Sequence, residues 1–161
     1  MHSFKEFCEV QNREQGYGYV SVKPISESLH LIRKLINNSG IENSLNNAEL
    51  HMTLAYDANN PVLTVDAAPQ DTIINGTMKE VKLLGDALVV VLESDEAQQR
   101  YEELADLGFG SDYPDYIPHI SLKYDASKED FLDARNVFKK FKGKNVKLYS
   151  ENWEFNTGNY C

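Results

Sequence analysis

Cysteine is scarce in this sequence, long apolar runs are missing, and basic residues are outnumbered by acidic ones. The two cysteines, Cys8 and Cys161, stand near opposite ends of the chain and form no C-x-x-C pair. That argues against a disulfide-dense scaffold or a Cys/His zinc motif and fits a reducing compartment. No stretch approaches the roughly 18 apolar residues of a membrane-spanning helix. The opening segment, Met1 to Glu6, lacks the apolar centre of a secretion signal. A soluble, cytoplasmic protein is expected. No Gly-rich loop of the Walker or dinucleotide type is present, so phosphate cradling by such a loop is excluded. Sixteen Lys and Arg against 25 Asp and Glu give a net charge of −9. Such a surface repels long nucleic acids, whose binding depends on cations neutralising phosphates. Any phosphate-bearing partner is expected to be small.

What is present is enough for one globular domain: 161 residues, 42% hydrophobic and 11% aromatic. Gly16 to Pro24 reads as a strand, and Ser26 as the cap of a helix with Leu29, Ile32, Leu35 and Ile36 at helical spacing, stopped by Gly40. Glu49 to Tyr56 alternates as a strand should. Residues 57–72, with Pro61 and Pro69, read as loop. Thr72 to Leu84 and Ala87 to Leu92 form a hairpin through Gly85 and Asp86. Ser94 opens a helix with Ala97, Tyr101, Leu104 and Leu107 on one stripe. Residues 110–118 are loop, and His119 to Tyr124 is a strand. Ser127 caps a helix carrying Phe131, Ala134, Phe138 and Phe141, and Val146 to Phe155 closes the chain as a strand. Strands and helices are thus mixed without βαβ alternation, and no low-complexity linker divides them.

The informative feature is an internal echo. Residues Glu49 to Asp57 (ELHMTLAYD) recur 68 residues later as Ile117 to Asp125 (IPHISLKYD). Two of the four histidines fall in this repeat, and duplicated halves, roughly 16–75 and 76–161, account for it. Strand alternation sorts the repeat: if Met52 and Leu54 face a core, His51 and Thr53 face away, and Ile120 and Leu122 sort His119, Ser121 and Lys123 likewise. Two such strands side by side present two imidazoles and two hydroxyls to one groove. One imidazole can take a proton from an attacking oxygen while the other gives one to a leaving oxygen. The hydroxyls can hold phosphate oxygens as charge develops on them. A lone His-x-Thr on a strand carries little information; two matched copies carry much more. Neither His30, in the first helix, nor His2, in the terminal tail, has such a companion.

The segments Leu50 to Leu54 and Tyr116 to Leu122 resemble the paired H-x-[ST] signature of the 2H phosphoesterase superfamily, with Ser121 where Thr is commoner. The resemblance implies an α+β fold: one bilobal domain of two duplicated lobes, with antiparallel or mixed sheets lining a central groove and helices outside. It implies phosphodiester cleavage without metal or cofactor, often by 2′-hydroxyl attack or through 2′,3′-cyclic phosphates. The whole chain, with its acidic character and Trp-bearing tail, further resembles phage anti-CBASS phosphodiesterases, which degrade cyclic oligonucleotide signals such as 3′,3′-cyclic GMP-AMP. On that reading His51 and His119 are the acid–base pair and Thr53 and Ser121 the phosphate clamps.

A nucleotide also needs surfaces for its bases. Strand parity turns Tyr19 towards the groove if Val20 and Val22 are buried, and turns Glu151 and Trp153 there if Leu148 is buried. Tyr19 and Trp153 are therefore expected to stack on bases, each against the alternative of ordinary packing. Glu151 is expected to accept an exocyclic amine, and Lys123 to hold a phosphate rather than stand as a solvated strand lysine. Tyr56 and Tyr124 fall on the core-facing parity and are assigned to packing. Asp57 and Asp125 end their strands and are assigned to turns. The competing readings are a 2H enzyme acting on 2′,3′-cyclic phosphate RNA ends, a non-catalytic nucleotide sponge, and a metal-dependent phosphoesterase using His51, Asp57, His119 and Asp125.

Overall fold

The computed structural model describes residues 17–57, 69–71, 73–109 and 115–156. His2, Cys8, Cys161, Pro61, Thr72 and residues 110–114 of the 110–118 loop lie outside the described residues. The elements run β1 (Tyr17–Pro24), α1 (Ser26–Ser39), a 3-10 turn (Asn47–Glu49), β2 (Met52–Asp57), β3 (Ile74–Leu84), β4 (Ala87–Glu93), α2 (Asp95–Asp106), β5 (His119–Lys123), α3 (Lys128–Phe138) and β6 (Asn145–Asn156). The fold is α+β, and every strand pairing is antiparallel.

Local chemistry sets most of the boundaries. The Ser94 hydroxyl accepts from the Ala97 amide at the start of α2, and Ser127 with Asp130 forms a reciprocal capping box on α3. The first helix departs from expectation. Ile25, not Ser26, holds its cap position without a side-chain bond. Ser28 instead uses its hydroxyl to accept from the Lys147 amide, tying α1 to β6. Gly40 ends that helix at φ 69°, a left-handed position that a side chain disfavours.

The strands close in the order β1-β2-β5-β4-β3-β6, so the last strand lies beside the first. The ring is joined thinly at one place. Strands β2 and β5 share a single paired position, Met52 with Ile120. Two three-stranded units, β6-β1-β2 and β5-β4-β3, therefore meet along the seam that carries both copies of the repeat. One face of the strands is apolar: Val20, Val22, Met52, Leu54, Val90, Leu92, Ile120, Leu122, Val146 and Leu148 are buried in one core with Ile32, Leu35 and Ile36 of α1 and Leu104 of α2. Burial of this size is the main stabilising contribution to the fold.

Of four register shifts, three decide which side chains near the repeat reach the opposite face. In β2, Thr53 pairs with Ser21 and Ala55 with Val20, leaving Leu54 as the extra residue. In β5, Ser121 pairs with Val89 and Lys123 with Leu88, leaving Leu122 extra. These are the same position of the repeat, so the duplication extends to the bulge. In β6, three steps from Tyr149 to Asn152 face two steps from Lys23 to Ser21, and Ser150 there has φ 62°. A one-residue bulge exchanges the two faces of every residue beyond it.

Candidate active site

The Met52–Ile120 pair is the geometric origin of the site. Both side chains are fully buried, so their strand neighbours project from the other face. Antiparallel pairing then sets His51 across from Ser121 and Thr53 across from His119. The two histidines become diagonal neighbours, a relation that spans about 7–8 Å or somewhat less between Cβ atoms in such a ladder. That spacing lets two imidazoles flank one tetrahedral phosphorus. All four side chains are partly buried.

The same turn prepares both rings. The Nδ1 of His51 lies 2.7 Å from the carbonyl of Glu49, and the Nδ1 of His119 lies 2.7 Å from the carbonyl of Ile117. A carbonyl only accepts, so in both rings Nδ1 carries the hydrogen and Nε2 is left as the working nitrogen. Glu49 is itself fixed by reciprocal bonds with Asn46 at 3.1 and 3.0 Å. The approach to the second copy is anchored on the first: the Tyr116 hydroxyl donates to the Thr53 carbonyl at 2.7 Å, and its ring stacks on Tyr101 at 4.5 Å. Burial, with a smaller push from Tyr101, raises the Tyr116 phenol far above its ordinary range, so it stays a donor.

Tyr19 sits in the site, but in a different role from the expected base stacking. Its hydroxyl lies 2.7 Å from His51 Nε2 and 2.9 Å from Thr53 Oγ1. Burial raises the phenol above its usual value, a hydrogen bond with Thr53 opposes this, and Tyr124 and Glu154 push it up again. The phenol therefore keeps its hydrogen at neutral pH. It can donate to neutral His51, or accept from the charged ring while donating to Thr53. Tyr19 thus bridges the Nε2 of His51 and the hydroxyl of Thr53. Tyr19→Phe is expected to lower kcat about tenfold, the worth of one hydrogen bond in a partly buried site, with KM and Tm little changed. Steady-state kinetics checks this; an unchanged kcat removes Tyr19 from the working set.

The other three expected substrate contacts are committed elsewhere. Beyond the β6 bulge, Glu151 and Trp153 turn to the core-facing side rather than the groove. The Glu151 side chain is 3% exposed and pairs with Arg100. It accepts from Arg100 Nε at 2.6 Å, Arg100 Nη2 at 2.9 Å, Trp153 Nε1 at 2.9 Å and the Gln70 amide at 3.1 Å. A carboxylate with four donors already on it has little capacity left for a base. Burial alone would raise its pKa, yet these donors, Arg100 first, hold it below the ordinary value. Trp153 meets Phe109 edge-on at 5.8 Å and packs against the core. Lys123 shares its face with buried Leu88 because of the β5 bulge, and its ammonium bonds Asp130 at 2.9 Å.

The bulges also bring in residues that the alternation had hidden. Tyr56 and Tyr124, expected in the core, are 47% and 51% exposed. Arg100 belongs to no motif and is a cation on an otherwise apolar helix face. Its place on the stripe, three after Ala97 and four before Leu104, was the available signal. Among the described residues, no cluster of three or more His, Cys, Asp or Glu side chains is placed to hold a metal ion. Asp125 occupies a left-handed turn at φ 52°.

The family model described as "Anti-CBASS protein Acb1" matches residues 17–154, a span that includes both motifs and every element of the site. The chain belongs to the Acb1 family. Acb1 of Escherichia phage RB16 is 32% identical over 120 residues, covering 69% of this chain and 63% of the relative. Acb1 of Vibrio phage KVP40 is 28% identical over 112 residues, covering 66% and 72%. Acb1 of Enterobacteria phage T4 is 26% identical over 114 residues, covering 70% and 75%. The chain thus matches somewhat less than two thirds of the length of the RB16 protein.

The fold of this Acb1-family chain is also that of Escherichia coli LigT. The apo crystal structure superposes with a TM-score of 0.55 at 17% identity, over 90% of this chain and 91% of LigT. The complex of LigT with 3′-AMP gives a TM-score of 0.56 at 16% identity. No helix of the Acb1-family chain, among the described residues, is long and apolar enough to cross a membrane.

Proposed function

We propose that this chain is a phage counter-defence phosphodiesterase that opens cyclic di- or trinucleotide signals, such as 3′,3′-cyclic GMP-AMP, in the bacterial cytoplasm. The single observation that carries the reading is the Met52–Ile120 pairing, which, with Nδ1 of each neighbouring histidine on a carbonyl, supports an arrangement of both imidazoles about one phosphorus. A binding module needs no proton-transfer pair, whereas phosphodiester cleavage does. Membership of the Acb1 family supports the substrate class.

In the reaction one imidazole, neutral at Nε2, removes the proton from a ribose 2′-hydroxyl. That oxygen forms a bond to the adjacent phosphorus, and the bond from phosphorus to the 5′-oxygen of the next nucleoside breaks. The second imidazole, protonated, gives its proton to that leaving oxygen. Thr53 and Ser121 hydrogen-bond the non-bridging oxygens, where negative charge gathers. The product is a linear nucleotide ending in a 2′,3′-cyclic phosphate, which water opens with the histidine roles reversed. No step calls for a metal.

Three results are expected. Activity persists in excess chelator, and a 2′-deoxy cyclic dinucleotide resists cleavage. Mass spectrometry of the ribose substrate detects the cyclic phosphate end. Full turnover of the deoxy substrate excludes attack by the 2′-hydroxyl. Intact nucleotide after long incubation makes the chain a sponge, and faster turnover of RNA 2′,3′-cyclic phosphate ends reassigns the substrate.

A further inference from the structure

The two histidines are held in different ways. His119 is the first residue of β5 and pairs with Val91, and the Pro118 carbonyl before it accepts from the Leu92 amide at 2.9 Å. The sheet itself therefore fixes the second motif. His51 stands one residue ahead of β2, which begins at Met52. Its Nδ1 lies 2.7 Å from the carbonyl of Glu49, which ends a 3-10 turn rather than belonging to a strand. The placement of the His51 ring thus depends on the loop that carries this turn.

That loop has little grip of its own. It leaves α1 at Gly40 and passes Asn43, both in the left-handed region at φ 69° and 59°. From Ser44 to Glu49 only Leu45 is buried, and its amide donates to the Leu122 carbonyl of β5 at 2.8 Å. A second anchor is a side chain. Arg33 of α1 donates from Nη2 to the Leu45 carbonyl at 2.7 Å, from Nη1 to Ser44 Oγ at 3.2 Å and from Nε to Asn47 Oδ1 at 2.8 Å. Three acceptors drawn from residues 44–47 are thereby set around one planar guanidinium, whose donors keep a fixed fork geometry. Asn47 opens the 3-10 turn, and Asn46 before it makes the reciprocal bonds that hold Glu49.

We infer that Arg33 is a positioning residue for His51: its guanidinium fixes residues 44–47, these fix the turn, and the Glu49 carbonyl at the end of the turn holds Nδ1 so that Nε2 is free to work. The consequence for catalysis rests on the phosphodiesterase reading above; the consequence for the ring does not. The relay reaches one histidine of the pair. His119 draws on β4 instead, so loss of Arg33 separates the two rings, whereas a general weakening of the fold disturbs both. A displaced acid–base group lowers the rate more than the affinity, because its alignment matters most in the transition state.

The test uses the full chain with 15N-labelled histidine. Arg33→Met keeps an apolar stem on α1 and removes the fork. Long-range 15N–1H correlations of the wild type should show both neutral rings with the hydrogen on Nδ1, the signals being assigned with His51→Ala and His119→Ala. In Arg33→Met the His51 signals are expected to move towards the tautomer mixture of a ring in water, with those of His119 unmoved. On a cyclic dinucleotide kcat is expected to fall about tenfold, the worth of one hydrogen bond, with KM within about twofold. Asn47→Ala, at an exposed position, removes one of the three acceptors. It should give the same His51-selective shift with a smaller loss of kcat, and it decides the matter if Arg33→Met folds poorly. Unmoved His51 signals with kcat within about twofold of the wild type in both variants overturn the relay and spare the phosphodiesterase reading. Equal disturbance of both rings, or a loss of kcat that only follows a fall in Tm, also overturns it and makes Arg33 a prop for the fold. A wild-type chain that hydrolyses no cyclic nucleotide, with the His51-selective shift still present, removes the phosphodiesterase reading and keeps the positioning of the ring.

Discussion

Alanine at His119 or at His51 is expected to lower kcat by about 10²–10⁴-fold, the usual worth of one general acid or base. Tm should stay near that of the wild type, because neither ring belongs to the buried core; His119 gives up a bond to a carbonyl, and His51 one to a carbonyl and one to the Tyr19 hydroxyl. The double variant should fall far short of the product of the two single losses. On the proposed mechanism the two rings serve the two proton transfers of one displacement, and groups that act as a unit are strongly non-additive. Wild-type kcat/KM should trace a bell against pH, with one imidazole required neutral and its companion charged. Each single variant should lose one limb of that bell. Stopped assays of purified variants on a cyclic dinucleotide from pH 5 to 9 check all of this. Product-sized losses in the double variant, or a bell untouched by either substitution, would mean that the rings do not act on one phosphorus.

That expectation was legible in the sequence, and the reason is physical. Matched H-x-[ST] segments on strands need only alternation and duplication to converge, and both are printed in residues 49–57 and 117–125. The helices were legible too, since Ser94, Ser127 and Gly40 punctuate them by local chemistry, although the third ends at Phe138, short of the expected stop at Gly143. What could not be read was the register. Alternation places Tyr56 and Tyr124 inside and Lys123 outside, and this is correct until a strand acquires one extra residue. Nothing in Leu54 or Leu122 announces a bulge; it shows only in their pairing with β1 and β4. The same failure carried Glu151 and Trp153 to the wrong face beyond Ser150. Tyr19 came out on the face of His51 and Thr53 because no bulge in its own strand intervenes before Val20. Its hydrogen bond to His51 joins residues 32 positions apart and has no local signature.

Substituting Glu151 with alanine is expected to destabilise the fold by about 3–5 kcal/mol, since it strands a buried guanidinium whose partner is gone. Arg100 is 7% exposed at its side chain and retains only Glu103, at 3.5 Å, when Glu151 is lost. For a chain of this length that cost lowers Tm by roughly 10 °C. Arg100→Met combined with Glu151→Leu should recover most of the loss, because an apolar pair removes the uncompensated charge instead of creating it. The pH dependence has a definite sign. The Glu151 carboxyl is held below its ordinary value in the folded chain, so its ionised form favours folding. That stability is fully present above the unfolded carboxyl pKa of about 4.3 and is lost as pH falls through the lower folded value. The gap in stability between wild type and Glu151→Ala should therefore hold from pH 7 down to about 5 and shrink below 4. Denaturant melts across that range measure it, with circular dichroism reporting the fold. A Glu151→Ala chain that melts like the wild type at pH 7 while losing its preference among cyclic nucleotides would take Glu151 out of the core and return it to base recognition.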